Sequence, residues 1–215
     1  MSKLRVNITM SLDGYVAGPS QSVENPLGEG AFHLHDWAVP TKTFRTLHGE
    51  TNDGETGIND DVLREAFENL GAMIMGRHMF GPDRGPWGKN PWQGWWGDNP
   101  PFHHPVFVLT HHPREPLPMR GGTTFHFVTD GIDSALAQAS RAAAGKDVGL
   151  GGGAKAIQQY LAAGLVDEME IHIVPLLLGG GERLFANFDA HKLKLEPIRT
   201  IAGRGVTHLK YRVVK

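Results

Sequence analysis

Residues 146–185, KDVGLGGGAKAIQQYLAAGLVDEMEIHIVPLLLGGGERLF, decide how this chain folds. A short apolar run at 148–150 enters three consecutive glycines, Gly151, Gly152 and Gly153, and an alanine-rich helical pattern starts directly after them. The order spells strand, glycine turn, helix. Ile157, Tyr160 and Leu161 fall on one helical face, and Gly164 followed by Leu165 supplies a stop with an apolar residue to pack back. A second strand follows, in which Met169, Ile171 and Ile173 alternate with Glu168, Glu170 and His172 before the run turns apolar at 174–178.

Glycines let a ligand approach the main chain, and free N–H groups at a helix start, with the helix dipole, favour a phosphate there. A Walker loop needs Lys followed by Ser or Thr, but Lys155 is followed by Ala156, which disfavours ATP. The dinucleotide spacing is met by Gly149, Gly151 and Ala154, yet the acids Asp167 and Glu168 open the second strand, whereas a ribose-binding acid closes it. A plain glycine turn that packs a helix closely on a sheet is the alternative.

Working outward, Leu4, Val6, Ile8 and Met10 alternate with polar residues, so the chain opens on a strand that empties into SLDGYVAG. Asp13 then sits at a strand's C-terminal end, where open α/β sheets hold ligands, and is the first candidate for contact with a substrate; an Asp-Gly turn is the alternative. Residues 19–57 read as irregular. Asn59 is positioned to cap a helix with Asp60 and Asp61 in its first turn and Gly71 as its stop. AMIMG reads as a buried strand, after which Arg77 and His78 follow Gly76; an arginine there can grip a phosphate through two parallel bonds. Trp87, Trp92, Trp95 and Trp96 lie among prolines and glycines in 81–105, a segment read as a lid or substrate-pocket wall, with an oligomer contact as the alternative. Further strands are expected at 106–109, which ends at Thr110, and at 123–128. A helix follows at about 132–144 behind Asp130 as cap, and the chain closes on a hairpin turning at 203–205. Strands that alternate with helices and end in a hairpin predict an α/β domain over 1–215, with a mixed sheet and helices on both faces.

The 215 residues suit one domain, and the net charge of -2 leaves no electrostatic footprint for nucleic acid. With no cysteine there is neither a disulfide framework nor a thiolate. Adjacent histidine pairs such as His103 and His104 have the wrong offset for two ligands on one face, so no metal site is expected. The absence of a leader pattern or a membrane-length apolar run predicts a cytoplasmic protein without membrane contact.

Taken together, SLDGYVAG, MIMGRH and the GGGAKAIQQYLAAGLVDEMEIHIVPLLLGGGERLF block resemble the dihydrofolate reductase fold. The narrower resemblance is to the reductase domain of the bifunctional riboflavin-biosynthesis deaminase-reductase and its stand-alone relatives. It covers essentially the whole chain and implies a three-layer α/β fold around a mixed, mostly parallel sheet, with NADPH as hydride donor and a homodimeric assembly. By the same resemblance Arg77 and His78 hold the adenosine 2′-phosphate and Thr110 contacts that end of the cofactor. Gly151, Gly152, Gly153 and Ala154 receive the pyrophosphate, Val16 and Ala17 flank the nicotinamide, and Asp13 lies beside the substrate, where it, or a water it holds, is the candidate to orient the substrate or deliver the proton. Asp61 stands near the position of the pterin-binding acid, and Met79 replaces the hydroxyl residue that usually follows Gly-Arg-X. The implied reaction is hydride transfer to a C=N or C=O of a small heterocyclic or sugar-linked substrate, as in 5-amino-6-(5-phosphoribosylamino)uracil reductase or dihydrofolate reductase. The alternative is a non-catalytic binding protein that retains the fold.

Overall fold

A computed structural model describes residues 2–50 and 53–215, and its elements follow the period-two runs and glycine stops of the sequence. In chain order they are β1 (Leu4–Ser11), β2 (Tyr15–Ala17), α1 (Lys42–Leu47), α2 (Ile58–Phe67), β3 (Leu70–Gly76), α3 (Arg77–Phe80), β4 (Pro105–Leu109), β5 (Leu117–Pro118) and β6 (Thr124–Val128). Then come α4 (Gly131–Ala142), β7 (Asp147–Leu150), α5 (Ala154–Ala162), β8 (Glu168–Val174), β9 (Glu182–Arg183), β10 (Lys194–Gly203) and β11 (Val206–Val214). Nine strands form one sheet in the order β10-β11-β8-β1-β7-β3-β4-β6-β5, while β2 and β9 pair separately. The six strands from β8 to β6 are mutually parallel; β5 and the β10–β11 hairpin run antiparallel to their neighbours. This is the mixed sheet that the alternating pattern predicted, and it is mostly parallel as the resemblance implied.

One face of the sheet is apolar throughout. Leu4, Val6, Ile74, Phe107 and Leu150 meet Ala135 and Ala139 of α4 and Ile157, Tyr160 and Leu161 of α5. The small alanines of α4 let that helix sit close, and Tyr160 bonds Ile132 O at 2.9 Å, joining the two helices. Each large side chain buried there contributes roughly 1.5–3 kcal/mol of transfer free energy. Under β3, β4 and β6 the opposite face holds a second cluster, with Met75, Phe80, Val106, Val108 and Phe125 against the tryptophan segment.

Beneath α2 the opposite face of β1, β8 and β11 is polar and still buried. Register sets Asn7 beside Glu170 and Lys210, and Thr9 beside His172 and His208. Residues 19–57, read from sequence as irregular, supply the cover through a 3₁₀ turn at Ala31–His35 and α1. Ala31, Leu34 and Trp37 pack there with Leu63, Val174 and Val206. Trp37 donates Nε1–H to Thr9 Oγ1 at 3.1 Å, and its ring centroid lies 4.6 Å from His172 and 5.0 Å from His208. Asn59 does not cap α2: the helix starts one residue earlier, after Gly57 at φ 117°, and Asn59 donates Nδ2–H to Arg204 O at 3.1 Å. Asp130 precedes α4 without making a side-chain cap bond.

The two ends of the sheet differ from its middle. At one end β10 carries Pro197 at an irregularity in its register with β11; at the other, β5 is two residues long. No helix among the described residues is long and apolar enough to cross a membrane.

Burial pushes His172 down to about 3 and His208 down to about 4, and lowers His35 as well. Below the ordinary histidine value of about 6.5 the unfolded chain takes up protons that these folded imidazoles refuse. Stability is therefore intact above that value and drains as the pH falls from it toward the folded pKa values. Denaturant titrations across the weakly acid range are expected to lose about 1.4 kcal/mol per pH unit for each histidine held neutral. A midpoint that does not move over that range would show that the rings ionise freely inside the fold.

Candidate functional site

Because β1, β7, β3 and β4 are neighbours and parallel, their C-terminal ends share one rim. Gly76 at the end of β3 donates its N–H to Gly152 O at 2.7 Å, and Gly151 donates to Ile74 O at 3.0 Å. Gly76 lies within ordinary van der Waals reach of Ala156, so α5 begins directly against the strand end. Gly152 has φ 124°, a conformation that side-chain-bearing residues rarely adopt. Gly153 O accepts from Ala156 and Ile157, which leaves Ala154 and Lys155 N–H at the start of α5 without intrahelical acceptors. With the helix dipole these donors favour an anion.

Arg77 opens α3 next to that loop and is only 9% exposed. Its Cζ lies 3.4 Å from the centroid of Trp87, and Arg114 Cζ lies 4.7 Å from the same ring. Nε and Nη1 of Arg77 are buried without a partner among the described residues. Arg114 Nη1 donates to Trp92 O at 2.6 Å. Burial draws the Arg77 pKa down to about 10, with the Arg114 charge acting the same way and Asp83 opposing it, so Arg77 stays charged at neutral pH. Each buried donor left unmade costs about 1–3 kcal/mol, more when charged, and an anion would recover that cost for both guanidinium nitrogens.

His78 is not the cation that the sequence suggested. Burial lowers its pKa first and the charge of Arg84, whose Nη2 is 2.7 Å from His78 Nδ1, lowers it further. The positive charge beside the loop belongs to Arg84 and Lys155 instead. Thr110 closes β4, buried, with its Oγ1 accepting His112 N–H at 3.2 Å; His112 O in turn accepts Trp87 Nε1–H at 3.0 Å. Thr110, Trp87 and Arg77 are thus linked along the rim. Val16 packs half-buried on the main core and Ala17 is buried in β2, both just past the end of β1. The order along the rim is Asp13 with Val16, then the glycine loop, then Gly76 with Arg77, then Thr110.

Three expectations need correction. Asp13, the candidate proton donor, is held in its carboxylate form: Ser11 Oγ at 2.6 Å, Leu178 N at 3.1 Å and Gly179 N at 2.7 Å all donate to it. Led by the Ser11 bond, these hold its pKa at about 2, so it is an anion that pins the 176–180 loop to the end of β1. Asp61 is exposed and paired with Arg64 at 2.8 Å; the buried acid is Asp60, which accepts Thr43 N–H at 2.7 Å and ties α1 to α2. The tryptophans, read as a lid or substrate-pocket wall, lie away from Asp13. Trp87 and Trp96 pack on Phe80, Phe102, Phe125 and Phe127 under β4 and β6, and Trp92 lies 4.7 Å from Trp95, with β7 and β3 between this cluster and β1. Arg114, Arg84 and Lys155 carried no role in the sequence reading, although each lies within eight residues of a strand-end marker and shares its rim.

A family model described as the RibD C-terminal domain matches residues 2–207. The chain belongs to that family. Among solved structures, a Shewanella sp. PV-4 protein assigned to riboflavin biosynthesis is similar over 99% of both chains, at 23% identity and TM-score 0.64. The Enterococcus faecalis dihydrofolate reductase complexed with NADP(H) is similar over 99% of this chain and 97% of its own, at 12% identity and TM-score 0.50. A Thermotoga maritima deaminase/5-amino-6-(5-phosphoribosylamino)uracil reductase is matched over 99% of this chain but 57% of its own, at 13% identity and TM-score 0.56. These likenesses support the shared dihydrofolate reductase-like fold. The Bacillus subtilis protein YyaP is 40% identical over 68 residues, a stretch spanning 31% of this chain and 36% of YyaP. In this member of the RibD C-terminal domain family, the SLDG aspartate holds a loop and the Gly-Arg strand end meets the glycine loop.

Asp13→Asn replaces one carboxylate oxygen, which now accepts, with an amide that can only donate toward the 176–180 loop. Hydrogen exchange at Leu178 and Gly179 is expected to accelerate at least tenfold while β1 stays protected. Unchanged exchange at both amides would remove Asp13 as the loop's anchor.

Proposed function

We propose that this chain is an NADPH-dependent reductase acting on a C=N or C=O of a small heterocyclic substrate. The observation that carries the reading is Arg77: a buried, charged guanidinium with two unpartnered nitrogens, stacked on Trp87 beside a second arginine and directly adjoining the glycine loop. Burying such a charge unpaired is costly, and a phosphate on the rim offsets that cost. Membership of the RibD C-terminal domain family supports the reductase class.

In this reading Arg77 and Arg114 neutralise the 2′-phosphate, and Thr110 lies at the same end of the rim. Gly152, Gly153 and Ala154 offer main-chain N–H groups to the pyrophosphate, with Arg84 and Lys155 supplying positive charge beside them. Gly151 opens that loop, and Val16 and Ala17 form the apolar side of the nicotinamide end. The bound cofactor supplies a hydride, and the protein supplies orientation and exclusion of water. Asp13 contributes by fixing the loop next to the site and exchanges no proton near neutral pH.

The test is a pair of titrations, with NADPH and with NADH, followed through the indole fluorescence. Arg77→Ala is expected to weaken NADPH about 10- to 100-fold, the value of one charge-assisted interaction of about 1.5–3 kcal/mol, and to leave NADH nearly unchanged. Equal losses for both would take the 2′-phosphate away from Arg77. NADPH binding without oxidation in the presence of pterin, aminopyrimidine and small carbonyl compounds would favour the binding-only alternative.

A further inference from the structure

From Asp83 to Asn90 the chain runs over the surface without regular structure, and every residue in that run except Trp87 is exposed. The indole is the loop's anchor. It donates Nε1–H to His112 O at 3.0 Å and meets Phe127 and Phe80 edge-on at 5.0 and 6.1 Å. Gly85 and Gly88 flank it, and no atom lies within 4 Å of where a Cβ on either would stand, so the loop is clear of the body on both sides of the ring. Its ends are fixed. Trp92 is seated so closely on Gly81 that a Cβ there would come within 2.6 Å of the indole, and Arg114 Nη1 holds Trp92 O at 2.6 Å. A loop with fixed ends and a single inward side chain has one point at which it can be released.

Under that point lies Arg77. A separation of 3.4 Å between its Cζ and the Trp87 centroid is van der Waals contact, so the ring rests directly on the guanidinium. Nε and Nη1 are buried there with no partner, and the exposed Asp83, whose charge favours the cation, bonds neither. The stack stabilises the charge through the ring's negative face, yet it leaves two charged donors unmade. A phosphate would make both bonds, but it has no path to these nitrogens while the ring is in place. Indole and phosphate therefore compete for one guanidinium. Arg114, tethered to Trp92 O and 4.8 Å from Phe127, stays with the body when the loop lifts, so both cations remain on the rim.

We propose that Trp87 is a gate over Arg77: it lies on the guanidinium until a 2′-phosphate competes for it, then swings outward with residues 83–90 and lets Nε and Nη1 grip the phosphate. The gate rests on the cofactor reading above and makes Trp87 a residue through which the site tells NADPH from NADH. A dinucleotide without the phosphate has nothing to offset the lost stack, and the indole stays down. The sign of one effect separates this from a fixed support. If Trp87 merely held Arg77 in position, its removal would weaken NADPH; as a competitor for Arg77, its removal strengthens NADPH.

The full chain labelled with 5-fluorotryptophan reports its indoles separately by fluorine NMR, and Trp87→Phe assigns the Trp87 resonance. Saturating NADPH is expected to move that resonance toward its position in the urea-unfolded chain, and saturating NADH to leave it in place. Trp87→Ala is expected to tighten NADPH roughly threefold or more, the fold-change of one cation–π contact, and to keep NADH within about twofold, both read from the emission of the reduced nicotinamide. Should that variant fail to fold, Trp87→Leu, which still covers Phe80 and Phe127 but offers no aromatic face, carries the same expectation. A resonance unmoved by NADPH, an NADPH affinity unchanged or weakened in the variant, or an equal gain for NADH overturns the gate. Wild-type protein that binds both dinucleotides equally, or neither, sinks the cofactor reading and the gate with it. An NADPH preference that Arg77→Ala abolishes, with Trp87 unmoved, sinks the gate alone.

Discussion

The hydrogen bond from Gly76 to Gly152 is the constraint on which the site depends. It joins the ends of two parallel strands whose following residues start α3 and α5, so one contact sets where a guanidinium and a row of main-chain donors lie relative to each other. Ala156 of α5 and Gly153 of the loop lie within van der Waals reach of Gly76, so the helix starts directly against the strand end. The geometry therefore belongs to the sheet and to the turns that continue directly from it, which would suit the long, charged cofactor proposed for the site.

The sheet divides its work between its faces. One is a conventional apolar core shared with α4 and α5, whereas the other buries charge. Arg199 reaches from β10 to both Glu65 and Glu170, at 2.6 and 2.8 Å, and Lys210 also holds Glu65. Burial alone would raise the Glu65 pKa, yet Arg199 and Lys210 together bring it down to about 2. Desolvating such groups offsets much of their mutual attraction, so an all-apolar face of equal volume would be at least as stable.

Much of this was legible in the sequence because it is local. Period-two runs marked the strands, glycines marked their ends, and the parallel order followed from alternation with helices. The strand-end residues Gly76, Arg77, Thr110 and Gly151 could be located for the same reason. What could not be read is set by partners distant along the chain. The donors that fix Asp13 as an anion come from Leu178 and Gly179, some 165 residues away. Glu168, Glu170 and His172 gave the alternation of a half-solvated strand, and only the fold shows that α2 and the segment around Trp37 cover that side. Asp60 and Asp61 are neighbours with opposite fates, since the roughly 100° between successive helix residues decides which is buried. The tryptophans were correctly read as unsuited to water, but their placement under β4 and β6 depended on strand order.

Both margins of the sheet are built to refuse a neighbour. Pro197 withholds a main-chain donor from the outer side of the hairpin where the ladder is already out of step, and the two residues of β5 are too few to template a longer strand. Polymerisation by continuous strand pairing is thereby disfavoured at either margin.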